Sequence, residues 1–189
     1  APRDYTPGSG PSQATPLIRL PAYFHSLHLR ATMPCMRVLV ISDIHANATA
    51  LDAVVIDAGS IDAAWCLGDL VGYGPDPNEC VERIRALPNL LCLMGNHDQA
   101  ALGSMPLSRF TRDARDIALW TGQVLTPDNQ AFLRSLPTRI TVGDYTLAHG
   151  SPRQPVWEYI LDQSSADFNF EAFDTSFCLV GHSHLPRMF

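Results

Sequence analysis

Aspartate, asparagine and histidine recur in this chain just where apolar runs stop. Asp43 and His45 follow RVLVIS, Asp69 follows AAWCLG, and Asn96, His97 and Asp98 follow NLLCLMG. His149 follows YTLA, and His182 and His184 follow FCLVG. Five of the seven histidines sit at such exits; the other two, His25 and His28, lie near the start of the chain. Imidazole nitrogen and carboxylate oxygen are the ligands a divalent transition ion takes readily, and one carboxylate can bridge two ions roughly 3.5–4 Å apart. Each cluster alone has a plainer reading. SDIH can be a turn whose Asn47 caps the next helix, LGDL can be a turn, and a lone histidine after a strand is commonly a hydrogen-bonded structural residue. That reading must explain every exit separately, whereas one dinuclear site explains them all.

The chemistry of such a site divides the residues by role. Asp69 is the natural bridge. Two ions would lower the pKa of a shared water toward about 7, so that a metal-bridging hydroxide attacks phosphorus in line with the leaving oxygen. Asn96 offers a neutral oxygen ligand. Asp98 is placed to orient the His97 imidazole and raise its basicity, leaving His97 to stabilise or protonate the departing oxygen.

Alternating strands and helices would have to position these groups. RVLVIS reads as a short buried strand, and ATALDAVVIDAG as a helix with Leu51, Val54, Val55 and Ala58 on one face and Gly59 as its stop. AAWCLG is a second strand. In DPNECVERIRALP, Asp76 is expected to cap a helix, Pro77 to open it, Glu79 to close a capping box, and Cys80, Val81, Ile84 and Leu87 to face the core. NLLCLMG is a third strand, and helices are expected at about 110–124 and 127–136. Gly143-Asp144 between alternating runs predicts a hairpin with a type II′ turn, and FCLVGH closes the series as a strand. This order predicts an α/β fold with a mixed sheet, and in such folds ligands gather outside the carboxyl ends of the strands.

Composition narrows the class. The 189 residues are 46% hydrophobic and 17% charged, enough for one domain with a sizeable core. A net charge of -6 provides no bulk basic surface for nucleic acid. No run approaches the roughly 18–20 apolar residues of a membrane span. The five cysteines lie mostly in apolar runs without C-x-x-C spacing and read as reduced core residues of a cytoplasmic protein. Residues 1–35 carry six prolines and no hydrophobic periodicity, and are expected to be a disordered leader ahead of a domain at 36–189.

In order, SDIH, LGDLVGYG, MGNHD, AHG and GHSH resemble the full motif set of the calcineurin-like metallophosphoesterases, most closely the small stand-alone bacterial and archaeal phosphodiesterases of the YfcE-like kind. The resemblance covers Met36 to the C-terminus. It implies a sandwich of two mixed sheets flanked by helices. It also implies one metal site from Asp43, His45, Asp69 and His184, a second from Asp69, Asn96, His149 and His182, and His97 as catalytic acid. The implied cofactors are two divalent transition-metal ions, manganese first, with iron, zinc, nickel or cobalt as other occupants. The implied partner is a small phosphate ester, a diester or a monoester. Members of this family usually continue past GHxH with further strands, so the resemblance implies a domain whose C-terminal strands are missing here.

One departure matters. Protein phosphatases and dinucleoside polyphosphate hydrolases of the superfamily carry GDxVDRG, where this chain has GDLVGYG; the phosphate-holding arginine is therefore absent, and Arg153 is the candidate replacement. Tyr73 and Trp157 are candidates to line the pocket. A dinucleoside polyphosphate hydrolase is one alternative, which the missing arginine disfavours; a non-catalytic metal-binding scaffold of the same fold is the alternative from another class, and His97 beside Asp98 argues for catalysis instead.

Overall fold

A computed structural model describes residues 36–189; the leader assigned to residues 1–35 lies outside the described residues. Six strands form two three-stranded sheets. The first is wholly parallel in the order β1 (Val38–Ile41), β2 (Ala63–Cys66), β3 (Leu91–Cys92). The second is mixed: β4 (Arg139–Val142) runs antiparallel to β5 (Tyr145–Ala148), and β5 parallel to β6 (Phe177–Leu179). The two-sheet expectation holds, with the mixed character confined to the second sheet.

Pleating gives each strand of the first sheet two duties. Trp65 and Leu91 turn toward the second sheet and pack with Leu147, Ile140, Val142 and Leu179. Trp65 meets the Tyr145 ring edge-on, 5.2 Å between centroids. The neighbouring Cys66 and Cys92 turn the other way, onto a core shared with helices α1 (Ala48–Ala58), α2 (Pro77–Arg85) and α5 (Pro127–Ser135). That core includes Leu51, Val81, Ile84 and Leu133, the last three of these with no residual exposure. Truncating Ile84 or Leu133 to alanine would cost about 2–5 kcal/mol.

Local chemistry sets the helix limits. Asn47 accepts the Ala50 N–H at 3.0 Å and starts α1, and Gly59 at φ +65° stops it. Thr111 and Thr126 cap α4 (Arg112–Val124) and α5 in the same way. Pro77 opens α2 as expected, but Asp76 gives its own helix no side-chain cap. Its carboxylate instead accepts from the Ala48 N–H, 3.4 Å away at the start of α1, which ties the two helix starts together. Val54 also departs from expectation, being exposed rather than on the core face. The hairpin forms with Val142 opposite Tyr145 and Gly143 at φ +52°, the sign that the first position of a type II′ turn demands. Two further helices, α3 (Asn96–Ala101) and α6 (Gln163–Phe170), complete the set. Among the described residues no helix is long and apolar enough to cross a membrane.

Candidate metal centre

The loops that follow β1, β2, β5 and β6 are stitched to one another by backbone hydrogen bonds. Asp43, His45 and Ala46 donate to the carbonyls of Gly68, Asp69 and Leu70 at 2.9–3.0 Å, zipping SDIH to LGDL. Gly181 donates to the His149 carbonyl at 2.9 Å, and the His182 N–H to Asp43 Oδ2 at 3.0 Å, latching the last loop onto the first. The arrangement is strained. Eight described non-glycine residues have positive φ, and seven of them, namely Asp43, His45, Ala46, Asp69, Tyr73, His182 and His184, belong to these loops. Left-handed backbone costs such residues on the order of 1–3 kcal/mol each, a cost that persists where function holds the chain.

The strained loops, with Asn96 at the start of α3, bring together all seven residues that the sequence offered as ligands. In the first half of the site, His184 Nε2 lies 3.3 Å from Asp43 Oδ1 and 3.1 Å from His45 Nε2. In the second half, His149 Nε2 lies 3.0 Å from Asn96 Oδ1 and 3.3 Å from Asp69 Oδ2, and a ligating atom of His182 falls within 4.8 Å of those of Asp69 and His149. The two halves share one atom. Asp69 Oδ2 is 3.8 Å from His45 Nε2 as well as 3.3 Å from His149 Nε2, while Asp69 Oδ1 is occupied by the His97 N–H at 2.8 Å. Gly95 makes this approach possible, because a β-carbon there would overlap the Asp69 carboxylate.

The donor set fits divalent transition ions. His149 Nδ1 faces the Leu67 carbonyl at 3.0 Å and His45 Nδ1 the Val71 carbonyl at 3.3 Å. In the neutral form of each ring the nitrogen facing a carbonyl carries the proton, which leaves Nε2 as the atom that can ligate a cation. Asp43 Oδ1 and His182 Nε2 are buried without a hydrogen-bond partner among the described residues, an expense that a bound cation removes.

Burial dominates the electrostatics. It pushes His182 and His97 down to about 4 and lowers His45, so these rings are neutral and free to ligate or donate at neutral pH. For the Asp69–His149 pair, burial opposes charge on both. Their mutual attraction wins, lowering the carboxyl and raising the imidazole.

Asp98 has a different place from the one its sequence position suggested. Its carboxylate accepts backbone N–H groups from Asp69 and Gly95 at 2.9 Å and from Val71 at 3.1 Å, which clamps the LGDLV loop to the start of α3. Among the described residues these are its hydrogen bonds, and the His97 ring is not a partner. Complete burial, together with the Asp69 charge, raises Asp98 to about 7, and the N–H donors oppose that rise. The His97 ring is held by packing instead. It tilts against Tyr73 at 4.4 Å and meets Phe110 edge-on at 5.1 Å.

Arg153 is not brought to the ligands. The loop after His149 folds on itself through Gly150 N–H to the Pro155 carbonyl and Ser151 Oγ to Glu158 Oε2. This turns the guanidinium to Glu158 Oε1 at 3.8 Å and over the Phe168 ring at 5.7 Å. Trp157 does approach, 6.0 Å from His182 and 5.2 Å from Phe110 between ring centroids. Sequence reasoning missed Tyr159, whose ring stacks on His182 at 3.8 Å and 17°. The only signal for it was its place in the aromatic stretch VWEY.

Comparison with known proteins places this geometry. The chain is 42% identical over 157 residues to MJ0912 of Methanocaldococcus jannaschii, an alignment covering 79% of this chain and 63% of that protein. It superimposes with TM-score 0.72 and 51% identity on a metallophosphoesterase from Sphaerobacter thermophilus, covering 80% of this chain and 62% of that one. The fold is shared with PH1004 from Pyrococcus horikoshii, with TM-score 0.67, 23% identity, and coverage of 77% and 68%. The chain thus spans less than two thirds of the length of the first two. The family pattern of the calcineurin-like phosphoesterases matches residues 36–186, a span that includes every candidate ligand, and the chain belongs to that family.

Proposed function

We propose that this protein is a metal-dependent hydrolase of small phosphate esters, phosphodiesters first, working at a dinuclear centre in a reducing, cytoplasmic setting. The observation that carries the dinuclear reading is the position of Asp69 Oδ2 between the Nε2 atoms of His45 and His149. Asp43, His45, Asp69 and His184 would hold one ion, and Asp69, Asn96, His149 and His182 the other. Manganese is the proposed occupant of both. Such ions supply Lewis acidity toward phosphoryl oxygen and make a hydroxide nucleophile available at neutral pH.

The rest falls to the chain. Asp69, anchored through Oδ1 to the His97 N–H, keeps its other oxygen on the shared edge of the two half-sites. His97 sits beside that edge, with a ring nitrogen within 4.8 Å of ligating atoms of both His45 and Asp69. Since burial keeps its imidazole neutral at pH 7, it stabilises the departing oxygen by donating an N–H rather than by starting as an imidazolium. Asp98 is a positioning residue that fixes the two backbone segments bearing Asp69 and His97. The free thiols of Cys66, Cys80, Cys92 and Cys178 suit a reducing compartment.

The test is turnover of bis(p-nitrophenyl) phosphate and of p-nitrophenyl phosphate with and without added Mn²⁺, alongside elemental analysis. The expected result is metal-dependent diester cleavage. In His97→Ala, kcat should fall by roughly 10²–10⁴ with metal content unchanged. Folded, metal-loaded protein that cleaves neither ester would establish the scaffold reading instead, and loss of metal in His97→Ala would make His97 a ligand.

A further inference from the structure

Beside the half-site of Asp43, His45 and His184 the surface opens into a cleft of about 680 Å³, within the roughly 300–1,000 Å³ range of small-molecule sites. It extends from those three side chains between the Tyr73–Asp76 loop and the first half of α1, where the exposed Val54 forms part of its wall. Among the described residues the wall contains no lysine or arginine, while Asp76 adds a carboxylate to that of Asp43. A second anionic group is therefore disfavoured there, and the part of a phosphate ester that the cleft suits is a neutral one.

Tyr73 is the one Phe, Tyr or Trp side chain on that wall among the described residues. Its backbone is left-handed at φ +59°, a conformation that a bulky side chain adopts only when its surroundings impose it. The flanking glycines supply the imposition. Gly72 lies so close to His97 that a β-carbon would come within 2.7 Å of Nδ1, and the Gly74 N–H donates to the His45 carbonyl at 2.9 Å. One side of the Tyr73 ring is thereby pinned, 4.7 Å from His45 and 4.4 Å from His97 between centroids, yet the residue stays 50% exposed. Packing alone does not account for a strained ring left half bare beside a metal ligand.

Resting on the phosphoesterase reading above, we infer that Tyr73 is a stacking platform for the planar base of a nucleoside phosphate ester, with the nucleoside in this cleft and the phosphate at the ligands. Every base has a π-face, and its stacking on an aromatic side chain strengthens binding roughly 5- to 150-fold. An alkyl alcohol or a bare sugar presents no planar π-face to the ring.

The experiment measures binding rather than turnover. Mn²⁺-loaded protein is titrated calorimetrically with adenosine 5′-phosphonate and ribose 5-phosphonate, whose carbon–phosphorus bonds resist hydrolysis. The adenosine compound should bind at least about fivefold more tightly. That advantage should disappear in Tyr73→Leu and persist in Tyr73→Phe, which keeps the ring. Val54→Trp, on the exposed side of α1 and away from the ligands, should also remove it by filling the cleft. Equal affinities in the unaltered protein, loss of the advantage in Tyr73→Phe, or its survival in Val54→Trp would each overturn the inference. The two readings fail separately: adenosine preference without turnover of any ester removes the enzymatic proposal, and turnover without adenosine preference removes the platform.

Discussion

The two halves of the candidate metal centre offer nearly the same residue types and differ most in the exposure of one of them. His149 has no residual exposure, its Nδ1 is fixed by the Leu67 carbonyl, and its neighbours Asn96 and Asp69 are equally enclosed. The His184 side chain, in contrast, is 54% exposed and stands next to an open cleft. Buried ligands arrive preorganised and shielded from water, so little freedom is lost when a cation binds. An exposed ligand gives up rotamer freedom and hydration first. On the function proposed above, the buried half should therefore hold its ion more tightly, and the half that includes His184 should exchange its ion faster and admit substrate.

The largest effect should come from the atom the halves share. Asp69→Asn preserves shape and can still accept the His97 N–H, but it removes the charge and the bridging oxygen. Elemental analysis should show both ions lost. The fall in kcat/KM should exceed the roughly 10²-fold that outer-shell changes already cause. Retention of one tightly held ion would mean that the halves are independent and that Asp69 does not bridge.

How much of this was legible in the sequence follows from what each residue depends on. The residues of the candidate site could be gathered from the sequence because each follows an apolar run, and parallel strands deliver their exits to one end of a sheet. Helix limits such as Asn47 and Thr126 could be read because capping is local. The six-residue α3 was too short to show a period, and α6 lacks a clear apolar stripe, with only Ala166 and Asn169 buried. Asp98 was misjudged because its partners at Asp69 and Val71 lie 29 and 27 residues away. Adjacency to His97 was the only cue a sequence could offer. Tyr159 and the exposed side of Tyr73 likewise depend on how loops cross, which no periodicity records.

Single-ligand substitutions should separate the halves. His149→Ala leaves the Leu67 carbonyl unpaired and a void in the interior. It should cost about 2–4 kcal/mol of stability even in metal-free protein, measured by denaturant unfolding, besides emptying its half-site. His184→Ala should change metal-free stability by no more than about 0.5 kcal/mol and, as the loss of a proposed direct ligand, weaken one ion in a Mn²⁺ titration by at least the roughly 10- to 100-fold that outer-shell changes cause. Equal stability losses in the two variants would break the contrast.

Acid should sharpen it further. His182 and His97 are held near 4, below their ordinary 6.5, because burial disfavours the charged ring. At these two rings the unfolded chain therefore binds more protons than the folded one between these values, a difference that Asp98, raised to about 7, offsets in part because it is protonated in the folded state there. Their contribution to stability is complete above about pH 6.5 and is lost as pH falls toward 4. Chelator-treated protein should lose stability across that window, and His182→Gln should flatten the loss by on the order of 1–3 kcal/mol. An unchanged slope would mean that His182 is not shielded in solution.

The smallest effect is expected at Arg153, on the rim of the buried half. With GDLVGYG lacking the arginine of related phosphatases, it was the candidate to hold phosphate, but its guanidinium is engaged by Glu158 and lies over Phe168. Glu158 is itself tied to Ser151 and Asn169, and the Ser151 bond, followed by that of Asn169 and the Arg153 charge, lowers its carboxyl. Releasing Arg153 would break an ion pair that is 42% exposed on the arginine side, and such pairs contribute about 0–1 kcal/mol. Arg153→Ala should accordingly change diester kcat/KM by no more than about twofold, with a small drop in thermal stability as the loop after His149 loosens. A KM increase of tenfold or more at unchanged kcat would show that the side chain swings from Glu158 to the substrate, and that the buried half recruits its phosphate contact only when substrate is present.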